Sequence, residues 1–215
     1  FNQDGTGEIE SLFGKRVFDF PKPTRLIKDL FSLTINQDED EDFTVLDFFS
    51  GSASSADALM QLNSEDNGKR KFIMIQLPEN VCTSTIAAKD GYKTICEIGE
   101  ERIRRAGKKI KEESPLTTTD LDIGFRVFKV DSSNMEDVYY RPTDYNQGQM
   151  ELFADNIKPD RTPEDLLFQV MLDLGILLSS DIQETEIAGK KVFSVADGYL
   201  IACFDKDVTE ETVKA

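Results

Sequence analysis

Residues 43–77 carry the pattern that most constrains the fold: a short apolar run, a turn of small residues, a helical stretch and a second apolar run. Residues 43–49 and 71–77 have the length and composition of strands buried on both faces, and Pro78 ends the second. A strand, helix and strand of this length almost always form a right-handed parallel crossover. We therefore predict a doubly wound, mostly parallel α/β sheet.

Prolines and apolar spacing define the segment before this unit. Pro21 and Pro23 exclude a helix interior, and apolar residues at helical spacing over residues 26–31 predict a helix that starts at Pro23 or Thr24. Residues 1–14 mix glycine with polar and acidic residues and have weak periodicity. We predict that they form an extended lead-in.

Two helices and a strand are predicted after the second apolar run, at residues 83–90, 96–113 and 125–130. The longer helix begins with acidic residues and continues with a basic series, which complements the helix dipole. This pattern favours an outer helix face in water over a DNA contact. The series comprises Arg102, Arg104, Arg105, Lys108, Lys109 and Lys111. The strand alternates apolar and charged residues, so we place it near a sheet edge.

The rest of the chain predicts a small α+β appendage. Residues 131–162 lack sustained periodicity and indicate a long surface excursion. A helix is expected at residues 163–174 with Pro163 at its first position. Strands are expected at residues 182–187, 191–195 and 199–204, with turns at Ala188-Gly189 and Asp197-Gly198. The predicted domains are a lead-in (1–17), an α/β domain (18–130), the excursion (131–162) and the appendage (163–215).

Charge and residue usage limit the kinds of site. Lys and Arg number 25 against 41 Asp and Glu, and the net charge of −16 repels polyphosphate overall. The lack of histidine and the scattered positions of Cys82, Cys96 and Cys203 argue against a metal site and exclude a Cys/His nucleophile. We expect each cysteine to be buried and structural, in a reducing cytoplasm. Without a leader or a membrane-length apolar run, the chain is interpreted as a cytoplasmic fragment with no membrane partner.

The turn at residues 47–55 is the candidate site. It follows the first predicted strand, and ligands of open α/β sheets bind at the carboxyl ends of strands. It has neither the lysine of a phosphate loop nor the glycine pattern of a dinucleotide fingerprint. Asp47 instead suits a ligand with a positive amino group, and the small residues allow close backbone approach. On the turn alone, a tight βα turn with small residues for packing is the preferred interpretation.

Several segments then point to one family. Asp47-Phe48-Phe49-Ser50-Gly51-Ser52 resembles the D-x-F-x-G-S cofactor motif of DNA amino-methyltransferases, and residues 20–26 are similar to the F-x-x-P-K-P-x-x-L segment that precedes it there. Residues 73–79, 89–95, 99–106 and 124–129 resemble the methylation subunit of type III restriction-modification systems, a beta-class amino-methyltransferase, in the same order and spacing. The resemblance covers about residues 18–130 and implies an S-adenosylmethionine-dependent, Rossmann-like methyltransferase fold.

The resemblance also implies cofactor contacts to S-adenosyl-L-methionine. Asp47 would bind the methionine amino group, with Phe49 packed nearby. The carboxylate end would be surrounded by Gly51, Ser52, Ser54 and Ser55. The pocket would be closed by Lys22, Pro23 and Thr24, and Gln76 or Glu79 would reach the ribose hydroxyls.

This sequence departs from the family pattern at a few positions. Ala53 stands where the family usually has a second glycine, and Ser54 and Ser55 stand where it has threonines. At the end of the second strand, Gln76 replaces the acidic residue that most methyltransferases present to the ribose.

The family's catalytic loop is of D-P-P-Y type and holds the target amino nitrogen of a flipped base. No two prolines are adjacent in this chain, so no catalytic residue is assigned and we expect the chain to be inactive alone. The resemblance implies a parent that methylates adenine N6, or cytosine N4, with DNA, a restriction subunit and a second copy as partners.

Two rival interpretations remain. One is a non-catalytic α/β interaction or scaffold module of a restriction-modification complex. The other, an unrelated nucleotide-binding α/β enzyme, is disfavoured because both phosphate-binding glycine patterns are missing.

Overall fold

A computed structural model describes residues 2–34, 43–136 and 156–214. The chain divides into two compact units, residues 1–127 and residues 128–215. Each unit has its own hydrophobic core.

The first unit contains five helices and two strands within its described residues. In chain order these are α1 (Asn2–Phe13), α2 (Thr24–Thr34), β1 (Thr44–Asp47), α3 (Ser54–Asp66), β2 (Lys71–Met74), α4 (Ile86–Lys89) and α5 (Ile95–Glu113). β1 and β2 pair in parallel, with Thr44 opposite Lys71 and Asp47 opposite Met74. The predicted strand-helix-strand unit and the start of α2 at Thr24 are confirmed.

The predicted extended lead-in is wrong, because residues 2–13 form helix α1. Ile9 and Phe13 are buried in a cluster with Ala87 of α4 and Ile98 of α5. Two glycines weaken the helical signal of α1. The apolar residues of α1 pack against partners on α4 and α5 that lie far away in the sequence. The helical conformation of residues 2–13 is therefore determined by tertiary packing.

The expectation that both strands are buried on two faces is also wrong. Leu46 is 56% exposed and Ile73, its neighbour across the sheet, is 52% exposed. The other face of the sheet packs Phe72 and Met74 against buried residues of α3 and α5. Within the described residues of this unit, the parallel sheet therefore has two strands and one apolar face in solvent.

Residues 125–130 do not form the predicted edge strand. Ile123 and Phe125 nevertheless pack against the cluster formed by α3 and α5. Within the predicted strand only Phe125 packs on this cluster, whereas Val127, Phe128 and Val130 are exposed.

The second unit contains the helix and the three strands predicted within residues 163–204. It contains α6 (Pro163–Asp173), β3 (Ile182–Ile187), β4 (Lys190–Val195), β5 (Leu200–Ala202) and α7 (Glu210–Lys214). The three strands form an antiparallel sheet in the order β3-β4-β5. Thr162 and Asp165 form a capping box at the start of α6, next to Pro163. Buried Phe193 and Val195 of β4 pack with Leu167, Met171 and Ile176.

The predicted excursion at residues 131–162 lies partly outside the described residues, which omit 137–155. Its two described ends are joined by an antiparallel bridge between Met135 and Ile157. None of the helices in the described ranges combines the length and the apolar character needed to cross a membrane.

Candidate functional site

The backbone reverses direction between β1 and α3 in a tight turn. The Ser50 amide donates to the Ile75 carbonyl, and the Ala53 amide donates to the Ser50 carbonyl at 2.7 Å. Gly51 and Ala53 have φ values of 52° and 57°. The left-handed region costs a residue with a side chain about 1–2 kcal/mol, so Ala53 holds a conformation that glycine adopts more easily. This is the position where the resembling family usually has its second glycine.

Helix α5 lies directly beneath this turn because it carries a glycine there. A Cβ atom at Gly99 would lie 3.2 Å from the Gly51 carbonyl oxygen and 3.5 Å from the Ala53 Cβ. Alanine at position 99 would therefore require the turn to move from α5 by a few tenths of an ångström.

Asp47 ends β1 with its carboxylate already oriented. Its Oδ2 accepts a 2.6 Å hydrogen bond from the Ser55 hydroxyl, and its Oδ1 accepts one from the Phe49 amide. Phe48 and Phe49 are exposed and contact each other edge to face. The carboxylate thus stands at the carboxyl end of a parallel strand, beside the first turn of α3, where it can accept hydrogen bonds from an amine.

The first amides of α3 have no cap from a preceding side chain. Ala53 occupies the N-cap position, and its methyl group offers no acceptor. The unsatisfied amides and the positive end of the helix dipole favour an anionic group at this point. The turn therefore presents an acceptor for an amine and donors for a carboxylate.

The end of β2 borders the same turn. The Gln76 side-chain oxygen accepts a 2.8 Å hydrogen bond from the Gly51 amide. The Cys96 thiol donates to the Gln76 carbonyl. Burial, with Glu100 nearby, raises the pKa of this thiol. Glu79 is exposed three residues further along the chain.

Ser52 and Ser54 point into the protein, where they meet Arg102. The Arg102 Nη1 donates to the Ser54 hydroxyl at 2.6 Å and to the Ser52 hydroxyl at 3.2 Å. All three residues are buried, and Arg102 is 0% exposed. The assignment of Arg102 to an outer helix face was therefore wrong, whereas Arg104 and Lys108 do lie on the surface and pair with glutamates of their own helix.

Two acidic residues complete the environment of Arg102. Its Nε donates to buried Asp57 of α3 at 3.0 Å, and its Nη2 donates to Glu8 of α1 at 3.1 Å. Neither acid was recognised from the sequence. A signal was present, because Arg102 lies four residues after buried Ile98 and four before buried Ala106, on the apolar stripe of α5.

The segment before α2 joins the same network. Thr24 is buried, and both its amide and its hydroxyl donate to the Glu8 carboxylate at 3.0 Å. Pro23 is buried and Lys22 is exposed. Glu8 therefore links this segment to Arg102, and Arg102 links it to the turn.

The cysteines do not all fit the buried structural role expected of them. Cys82 is exposed, and a hydrogen bond with the Ser84 hydroxyl lowers its pKa. Cys96 and Cys203 are half-buried. Among the described residues, no group of three or more acidic, cysteine or histidine side chains is placed to hold a metal ion.

No family model matches the chain. Individual curated proteins do match it. The chain is 47% identical over 128 residues to the type III restriction-modification enzyme StyLTI Mod subunit of Salmonella typhimurium, covering 60% of this chain and 19% of the relative. It is 33% identical over 213 residues to the EcoPI Mod subunit of Escherichia phage P1, covering 98% of this chain and 31% of the relative.

A third relative carries a methyltransferase name. The type II methyltransferase M.KpnI of Klebsiella pneumoniae is 36% identical over 103 residues, covering 48% of this chain and 24% of the relative. The chain spans about a third or less of the length of the curated relatives it matches. Sequence similarity over nearly all of its residues identifies the chain as a homologue of part of the Mod subunits of type III restriction-modification enzymes.

Proposed function

We propose that this chain is the S-adenosylmethionine-binding part of a DNA amino-methyltransferase of a type III restriction-modification system. The names of the relatives support the system and the reaction class. The observation that carries the cofactor assignment is Asp47, fixed by Ser55 beside a left-handed turn at the carboxyl end of parallel strand β1.

The chemistry of this turn fits the methionine end of the cofactor. An ammonium group would be accepted by Asp47, and the adjacent carboxylate by the uncapped amides of the first residues of α3. Phe49 is exposed and free to pack against the ligand. When bound, S-adenosylmethionine supplies the methyl group.

The contacts of the turn support a more specific proposal for these residues. The Ser52 and Ser54 hydroxyls are bound by Arg102. We therefore propose that Ser52 and Ser54 contact the ligand through their backbone amides. Gly51 lies between β1 and the start of α3. Gln76 orients the Gly51 amide and borders the ribose position with Glu79. Lys22, Pro23 and Thr24 close the pocket from the start of α2.

The exposed apolar face of the β1-β2 pair supports a larger sheet in the parent protein. Parallel sheets are ordinarily covered on both faces, yet Leu46, Ile73 and Ile75 are exposed here. We propose that this pair belongs to a doubly wound methyltransferase sheet, and that further parts of the parent methyltransferase cover the face.

Methyl transfer itself is assigned to the parent protein. Adjacent prolines do not occur in these 215 residues, so a D-P-P-Y loop is not encoded in them. We propose that the loop comes from another part of the parent, that the target is adenine N6, and that this chain alone is inactive. Cytosine N4 is the alternative target. The proposed partners are DNA, a restriction subunit and a second copy of the parent, in the cytoplasm.

Titration calorimetry with S-adenosylhomocysteine tests the cofactor assignment. We expect saturable binding to the wild-type chain and a 10–100-fold weaker affinity for Asp47→Ala, because a charge-assisted hydrogen bond contributes about 1.5–3 kcal/mol. Asp120→Ala, which removes an exposed aspartate after α5, is the matched control and should bind normally. Unchanged affinity in Asp47→Ala contradicts the site. Absence of binding to the wild-type chain contradicts the function and favours the scaffold interpretation.

A further inference from the structure

The Arg102 side chain contacts three different elements from a fully buried position. Its guanidinium reaches Ser52 and Ser54 in the turn, Asp57 in α3 and Glu8 in α1. These four hydrogen bonds use all three nitrogen atoms of the guanidinium group. Such a planar fork fixes the directions of its acceptors, which a lysine ammonium cannot do for groups on several sides.

Glu8 extends this arrangement to the start of α2. Its carboxylate accepts the Arg102 bond on Oε2 and bonds from the Thr24 amide and hydroxyl. The turn at residues 50–55 and the segment at residues 22–24 are thus joined through two side chains, Arg102 and Glu8. Neither of these side chains belongs to the set that the resemblance assigned to the cofactor.

We propose that Arg102 is a positioning residue that, together with Glu8, holds the turn and the Lys22-Pro23-Thr24 segment in one fixed arrangement before the cofactor binds. This proposal rests on the proposed function, because it concerns the two segments assigned to that pocket. A pocket that is already formed binds more tightly, since ordering its parts no longer opposes binding.

The contacts argue for positioning rather than for stability alone. Buried ion pairs can often be replaced by apolar side chains without loss of stability, so stability is a weak reason to bury Arg102 with two acids. Two of its four bonds end on hydroxyls of the turn itself. The network therefore acts where the backbone must be held in a left-handed conformation.

Glu8→Gln tests the proposal from a position outside the pocket. Glutamine keeps one acceptor oxygen but turns an amide donor toward either Arg102 or Thr24, so the connection is broken on one side. We expect affinity for S-adenosylhomocysteine to fall about 10-fold. Glu10→Gln makes the same charge change at an exposed site on the same helix and should leave the affinity unchanged.

Two further variants of α5 distinguish a positioning role of Arg102 from a purely structural role. Arg102→Lys should weaken binding at least 10-fold. Ile110→Val loosens the core without touching the network, and it should lower the melting temperature while preserving the affinity. If Arg102→Lys and Ile110→Val lower affinity in the same proportion to their loss of stability, the positioning role is overturned.

Amide spectra of the ligand-free chain separate this proposal from the proposed function. Glu8→Gln should shift the amide resonances of Thr24 and also those of Gly51 to Ser55, although these residues are distant in sequence. Shifts confined to α1 and Thr24 overturn the coupling whether or not the cofactor binds. If Glu8→Gln shifts the resonances of both segments but the wild-type chain does not bind S-adenosylhomocysteine, the proposed function fails and the coupling of the two segments stands.

Discussion

The first unit of this chain buries a charged network beside its two apolar clusters, whereas the buried cluster of the second unit is apolar. In the first, a buried arginine is surrounded by Asp57, Glu8 and two serine hydroxyls. In the second, the centre is apolar and consists of Leu167, Met171, Ile176, Phe193 and Val195. An apolar centre is explained by burial alone, whereas a buried charge has a large desolvation cost. We infer that the first unit buries this charge to hold a particular backbone arrangement, at a cost in desolvation.

The largest effect is expected when the charged centre is broken on one side. Arg102→Met should lower the free energy of unfolding by about 3–5 kcal/mol, because it leaves Asp57 buried without its cation. Adding Asp57→Leu should recover a large part of this loss, as apolar pairs can replace buried ion pairs. Denaturant unfolding measures both values. A double variant less stable than Arg102→Met would show that the network is primarily stabilising. The contrast drawn between the charged network and the apolar cluster would then be wrong.

An intermediate effect is expected in the apolar centre. Met171 is fully buried, and Met171→Ala should cost about 3 kcal/mol through lost burial and the remaining cavity. S-adenosylhomocysteine affinity should not change, because the variant lies in the second unit. Calorimetric titration of the folded variant checks this. A weakened affinity would show that the second unit contributes to the site.

The smallest effect is expected on the open face of the parallel sheet. Leu46→Lys should change the free energy of unfolding of this chain by less than about 0.5 kcal/mol, because the side chain is already exposed. Val195→Ala, at a fully buried position of the antiparallel sheet, should cost more, about 1–2 kcal/mol. The same denaturation experiment compares them. A loss above about 1.5 kcal/mol for Leu46→Lys would mean that the face is covered within this chain.

The parts of the fold that sequence reasoning predicted were those with strong local signals. The turn residues of the appendage, the capping segment of α6 and the proline before α2 restrict the backbone directly. α1 was missed because its helical state depends on packing against α4 and α5. The open face of β1 and β2 was missed because apolar composition does not reveal how many layers are present.

For the site, the sequence indicated the residues of the turn but not their support. The position of Asp47 at a strand end follows from local pattern and resemblance. Arg102, Asp57 and Glu8 come from three helices, and their meeting is a tertiary property. The direction of the Ser52 and Ser54 side chains depends on the same meeting. The resemblance implied that these residues surround the carboxylate end of the ligand, and in the structure their hydroxyls face the core.

We propose above that the turn after β1 binds the methionine end of the cofactor. Two-dimensional amide spectra of the 215-residue chain, recorded during titration with S-adenosylhomocysteine, test it most directly. We expect saturable shifts at Gly51 to Ser55, Thr24 and Gln76, with resonances of β3, β4 and β5 unchanged. Saturable shifts that leave the turn unaffected, or a titration without shifts, would contradict it.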